Sequence, residues 1–134
     1  MKLENKVAII TGGGSDIGHA AAEKFVQEGA KIVISDVNDG HLAEIKATIE
    51  VLGGHLETVH VDVRFQEDND KMFAAALEKF EKYDTLFCND GAIDGFRTVG
   101  NMTNEIWDRT FDINIKGPMM QMRAAVNYLK FKRR

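Results

Sequence analysis

The segment Thr11-Gly12-Gly13-Gly14-Ser15-Asp16-Ile17-Gly18 gathers four glycines at one junction. The apolar run Val7–Ile10 precedes it and a helical pattern follows it. A diphosphate needs main-chain N–H groups at close range, with the positive end of a helix behind them. Side chains in the turn would hold it away, so glycine is the residue such a turn requires. Asp36 closes a second apolar run, 18 residues after Gly18. An acid at that remove can accept hydrogen bonds from adenosine ribose hydroxyls and would repel a 2′-phosphate. No arginine stands nearby to welcome one, so the pattern points to NAD. The plainer alternatives are an ordinary glycine-rich turn and a solvated turn acid.

Other chemistry-bearing residues are sparse. Tyr128 and Lys132 stand four apart, and on a helix that spacing puts them on one face. They fall in the helix after the fourth strand, so they read as a surface tyrosine beside a basic helix end. Cys88 is the only cysteine, which rules out an internal disulfide framework. His19, His41, His55 and His60 lack metal-site spacing, and no metal site is expected. Lys and Arg number 17 against 21 Asp and Glu, a net charge of −4 that argues against nucleic acid as the main partner. Lys130, Lys132, Arg133 and Arg134 crowd the last five residues and read as cations complementing a helix C-terminus. No apolar run approaches the roughly 18 residues of a membrane span, and Val7–Ile10 is too short for a secretory signal, so a cytoplasmic protein is expected.

The elements that would position these residues alternate. Val7–Ile10 and Lys31–Ser35 read as strands buried on both faces. HLETVHV (55–61) and Thr85–Cys88 hold a third and a fourth strand. Between them, Ile17, Ala21 and Phe25 mark one helical face, and Leu42, Ile45, Ile49 and Leu52 a second. Phe73, Leu77 and Phe80 mark a third over 67–82. From about Thr103 to Lys130 the pattern is helical in two pieces, with Pro118 in the first turn of the second. The succession β-α-β-α-β-α-β-α predicts an α/β fold: one domain over 1–134, an open parallel sheet with helices on both faces and strand order 3-2-1-4, ending after the fourth βα unit.

Four motifs then fall in a familiar order. Residues 11–18 resemble the TGxxxGIG signature of short-chain dehydrogenases/reductases, with Asp16 where the middle glycine is usual. Asp62-Val63 resembles that family's adenine-contacting pair. Cys88-Asn89-Asp90-Gly91 is similar to its NNAG, matching at Asn89 and Gly91. Asn114 falls at the helix asparagine of its catalytic tetrad. The resemblance runs from Lys6 to about Lys130, with the flavour of the 3-oxoacyl-carrier-protein reductase and sugar or alcohol dehydrogenase branches. It implies a Rossmann-like dinucleotide-binding domain, the N-terminal half of such an enzyme. Gly12, Ser15, Ile17 and Gly18 would lie at the pyrophosphate, Asp36 at the ribose, Asp62 and Val63 at adenine, and Asn89 and Gly91 beneath the cofactor. Asn114 is the one catalytic residue matched; the family's Ser and its Tyr-xxx-Lys follow a fifth strand.

The resemblance implies hydride transfer between NAD and an alcohol or ketone. Little activity is expected of this chain alone, and a small alcohol or ketone would be a partner only with the remaining half supplied. The other readings are a non-enzymatic dinucleotide-binding module and a structural fragment without cofactor. The third rests on Asp16 and Asp90: a like charge about 6 Å from a diphosphate costs roughly 3 kcal/mol at an effective dielectric near 20. Ser15 and Asp16 also suit a helix cap. A bare fourth-strand edge and the apolar residues Ile113, Ile115, Met119, Met120, Met122, Ala125, Val126 and Leu129 predict a homo-oligomer.

Overall fold

The computed structural model describes residues 1–132; Arg133 and Arg134, half of the basic tip, lie outside them. The chain runs β1 (Val7–Thr11), α1 (Asp16–Gln27), β2 (Lys31–Asp36), α2 (Asp39–Val51), β3 (Leu56–His60), α3 (Gln66–Phe80) and β4 (Thr85–Phe87). A 3₁₀ turn (Val99–Asn101), α4 (Asn104–Phe111), a π-helical turn (Asp112–Lys116) and α5 (Gly117–Lys132) complete it. The four strands are parallel in the order β3-β2-β1-β4, as predicted, which places β1 inside the sheet.

The period of two along the strands splits the core between two faces. Val7, Ile9 and Val33 pack with Met72, Phe73, Ala76 and Ala125, contributed by α3 and α5. Ala8, Ile10, Ile32 and Ile34 pack on the other face with Ala22, Leu42, Ile45 and Ile49, contributed by α1 and α2. Burial on both faces explains why β1 and β2 read as unbroken apolar runs.

Three helical faces differ from the sequence pattern in detail, that of α2 at its C-cap, where Leu52 is exposed. Ile17 is 70% exposed, and α1 buries Gly18 and Ala22 instead. Leu77 is also exposed, because α3 turns Asn69, Met72, Phe73 and Ala76 inward. Asn69, being polar, adds nothing to the apolar periodicity of α3. It is fully buried, donating to the carbonyls of Val63 at 2.8 Å and Phe65 at 3.0 Å and accepting from Gln121 Nε2 at 3.0 Å. This network ties the loop after β3 to α3 and α5.

The long C-terminal helix divides at the π-helical turn, one residue before Gly117 and Pro118. Pro118 has no N–H to offer the Asn114 carbonyl four residues earlier, which frees the backbone to widen there. Lys130 and Lys132 lie in the last turn of α5, where cations suit the macrodipole.

Candidate functional site

The crevice opens beyond the carboxyl ends of the strands, where the chain leaves β1 for one side of the sheet and β4 for the other. That is the topological switch point of an open α/β sheet, the place where such sheets take ligands. Its volume is about 510 Å³.

The turn from β1 to α1 forms its floor. Gly12 takes φ +60, a conformation that favours glycine. Ser15 caps α1: its hydroxyl donates to the Gly12 carbonyl at 2.8 Å and accepts from the Gly18 N–H at 3.4 Å. The first-turn amides of a helix have no intrahelical acceptor. Ser15 serves that of Gly18, which leaves without an intrahelical acceptor those of Asp16 and Ile17, two residues that line the crevice. Gly18 itself is buried because α1 seats directly on the turn. A Cβ there would fall on the Gly12 carbonyl oxygen and within 2.7 Å of Asn89 Nδ2.

Asn89 locks the loop after β4 to this turn. Its Nδ2 donates to Gly12 O at 3.1 Å and Ser15 Oγ at 3.0 Å, and its N–H donates to Thr11 Oγ1 at 3.0 Å. On the other side Asp36 ends β2, buried, accepting from the N–H of Gly14 at 3.0 Å and of Asn38 at 2.9 Å. Each of its oxygens keeps a lone pair for a further donor. Gly14 must be bare for this, since a Cβ would lie 2.8 Å from Asp36 Oδ2.

Gly12, Ser15, Ile17, Asp36, Asn89 and Gly91 of the expected set therefore share the crevice wall, with Gly18 behind the floor. Asp62 and Val63 do not line it. The Asp62 carboxylate holds Arg64, at 2.6 Å to Nη2 and 2.9 Å to Nε, and the Arg64 hydrogen bonds keep its pKa below the usual carboxylate range. Val63 is buried in the core against Gly117. Asn114 sits in the π-helical turn and pairs with the backbone of Ala92: Oδ1 accepts from Ala92 N–H and Nδ2 donates to Ala92 O, both at 2.7 Å. It positions the loop after β4.

Four lining residues were not assigned a binding role from sequence. Asp16 lies exposed at the rim, in the first turn of α1, and does not close the crevice. Val37 and His41 line the side opposite β4; the histidine, read from sequence as incidental, faces Gly14 because α2 starts beside the turn. Asp90 is the most unusual. Its Oδ2 is buried with no hydrogen-bond partner. Burial, reinforced by the Asp36 and Asp62 charges and opposed by the Thr11 hydroxyl, pushes its pKa up to about 6. Burial and the Asp90 charge also raise Cys88. No cluster of His, Cys, Asp and Glu among the described residues could hold a metal ion.

Tyr128 and Lys132 lie elsewhere. Tyr128 stacks on Tyr83 with centroids 4.1 Å apart, and Tyr83 precedes β4, at the amino end of the sheet. Tyr128 is not the surface residue its sequence context suggests: its hydroxyl is buried without a partner, and Lys132 Nζ rests 5.3 Å from the ring centroid.

The residues present suit a diphosphate: a bare turn, two open amides, the positive end of α1 and an acid at the end of β2. Comparison with known proteins agrees. Residues 6–134 match the family model described as short chain dehydrogenase. Galactitol 2-dehydrogenase of Agrobacterium fabrum is 36% identical over 129 residues, 96% of this chain and 49% of that protein. A short chain dehydrogenase from Mycobacterium smegmatis superposes with a TM-score of 0.89 at 35% identity, covering 95% of this chain and 53% of the other. A short chain dehydrogenase/reductase from Burkholderia phymatum, solved in complex with NAD, gives 0.83 at 32% identity, covering 92% of this chain and 43% of that one. The chain thus spans about half the length of the relatives it matches.

Proposed function

This chain belongs to the short-chain dehydrogenase family, and from that premise we propose that residues 1–134 form one NAD(H)-binding unit of an oxidoreductase. The observation that carries the reading is the pairing of the bare β1–α1 turn with Asp36 across the switch point. The Asp16 and Ile17 amides and the α1 dipole would hold the pyrophosphate, over a floor kept flat by Gly12 and Gly18. The free lone pairs of Asp36 would accept from the adenosine ribose, and its charge disfavours a 2′-phosphate. Asn89 and Gly91 would lie beneath the nicotinamide half. Asp62 and Val63 would bound the adenine side from behind, since neither reaches the crevice surface.

NAD supplies hydride chemistry; the parent reaction would pass a hydride between it and an alcohol or ketone carbon. Of the implied catalytic set Asn114 is here, and its side chain already holds Ala92. The residues lining the crevice include neither a tyrosine nor a lysine, so this chain alone would bind far better than it turns over. A soluble cytoplasmic protein fits the absence of any described helix long and apolar enough to cross a membrane. Self-association fits the exposed apolar strip of Trp107, Ile115, Met119, Met122 and Val126 along α4 and α5.

Calorimetric titration with NAD tests the binding. Saturable heat together with a thermal shift is expected. Neither signal at millimolar NAD would leave the structural reading, which the carboxylates of Asp16 and Asp90 favour.

A further inference from the structure

Resting on the dinucleotide reading, we propose that Asp90 meets the ligand as a neutral carboxylic acid, so that the crevice takes up a proton when it binds NAD. Asp90 lines the crevice and presses on its floor: a Cβ at Gly12 would lie 3.2 Å from both Asp90 Oδ1 and Asp90 Cα. Its Oδ2 is buried and receives no hydrogen bond, which disfavours the charge, and the Thr11 hydroxyl opposes this without outweighing it.

The charged surroundings act in the same direction. Asp36, from the end of β2, and Asp62, after β3, are the carboxylates whose fields reach it. Asp16 from α1 lines the same crevice, and Cys88 stands two residues before on the β4 side. Asp62 itself is paired with the Arg64 guanidinium. Among the described residues that line the crevice, His41, from α2, is the one basic side chain. A diphosphate brought into this setting adds negative charge and excludes water, and both effects favour the protonated acid further.

The linkage has a definite sign. Below about pH 6 Asp90 is protonated with or without ligand, and affinity is flat. Above it the free protein has lost the proton that the complex retains, so Kd rises by about tenfold per pH unit until the complex also ionises. At neutral pH, close to one proton enters per NAD bound.

Calorimetry of the whole chain with NAD, in two buffers of different ionisation enthalpy and from pH 5.5 to 8, reads this directly. The wild-type chain should bind at least about tenfold more weakly at pH 8 than at pH 5.5, with heats that depend on the buffer. Asp90→Asn should bind with one affinity throughout and with heats independent of the buffer. Protonation of His41 would tilt affinity the same way, so His41→Gln should keep the pH dependence. A dependence that survives in Asp90→Asn and vanishes in His41→Gln overturns the proposal, as does a pH-independent wild type.

A readout without ligand separates this from the premise. Asp90→Asn should raise the unfolding midpoint most at pH 8, less as pH falls through the folded value of about 6, and not at all at about pH 3, below the unfolded carboxyl's 3.8. If that signature is present and NAD binds to neither protein at any pH, the dinucleotide reading fails and the proposal falls with it. If NAD binds without proton uptake, only the role of Asp90 falls.

Discussion

The two ends of the sheet each bring together residues that could do chemistry, and they treat them in opposite ways. At the carboxyl ends, polar groups are held by backbone partners and still have capacity to spare: Asp36 takes one amide on each oxygen, and Ser15 and Asn89 lock the turn while the Asp16 and Ile17 amides stay open. At the amino ends, Tyr83 and Tyr128 are stacked into the core, and burial drives the Tyr83 phenol up to about 12. Lys132 faces the Tyr128 ring rather than its hydroxyl. A site needs groups that are fixed, unsaturated and open to a ligand; the crevice meets that condition, whereas the unpartnered Tyr128 hydroxyl is buried in ordinary packing.

The largest effect that could break this contrast comes from Gly18→Ala. The added methyl would strike the Gly12 carbonyl and force α1 off the turn. A loss of about 2–3 kcal/mol in denaturant unfolding is expected, as for overpacking, with NAD affinity down at least about a hundredfold. A tolerated alanine would mean the floor is not close-packed.

Tyr128→Ala should cost a similar amount, about 2–3 kcal/mol, through the cavity it opens beside Tyr83. Its NAD affinity should stay within about twofold of wild type, since one end of the sheet does not report on the other. A clear change in Kd would join the two ends. Tyr128→Phe sharpens the point: it removes an unpartnered buried hydroxyl and should be neutral or gain up to about 1 kcal/mol.

Asp36→Ala should weaken NAD by about tenfold, near 1.4 kcal/mol, and narrow the preference over NADP. Titration with both nucleotides measures each part. An unchanged preference would remove Asp36 from the ribose.

The smallest effect concerns Asp62, which lies behind the crevice. Its folded pKa lies below the ordinary carboxyl value of 3.8 because of Arg64. Its contribution to stability is therefore present above pH 3.8 and is lost as pH falls through the lower folded value. The pair is partly exposed, so Arg64→Gln should cost only about 0.5–1 kcal/mol at pH 7, and less at pH 3. Urea unfolding at the two pH values tests it, with NAD affinity unaffected.

Much of the fold was legible because its signals are local. Apolar runs of β-branched residues, glycines at junctions and helical periodicity fix the strands, their parallel pairing and the place of the turn. Errors arose where local pattern and burial diverge. Ile17 completes a helical face in sequence yet points outward, because close seating of α1 gives the inward place to Gly18. Asn69 was overlooked because a buried amide has no periodic signature and depends on carbonyls from a neighbouring loop. The catalytic expectation for Asn114 rests on the motif it occupies, while the contact its side chain makes with Ala92, 22 residues earlier, needed coordinates.

By itself the sequence determined the order of elements, the bare phosphate-sized turn and the acid that faces it, because glycine and periodicity act through the nearest few residues. Only the tertiary structure decided which side chains share a space. It moved Tyr128 and Lys132 to the wrong end of the sheet for chemistry, brought His41 to the crevice, and left one oxygen of Asp90 buried without a partner. Burial and the company of other charges belong to the packed molecule, and these set what an ionisable group can do.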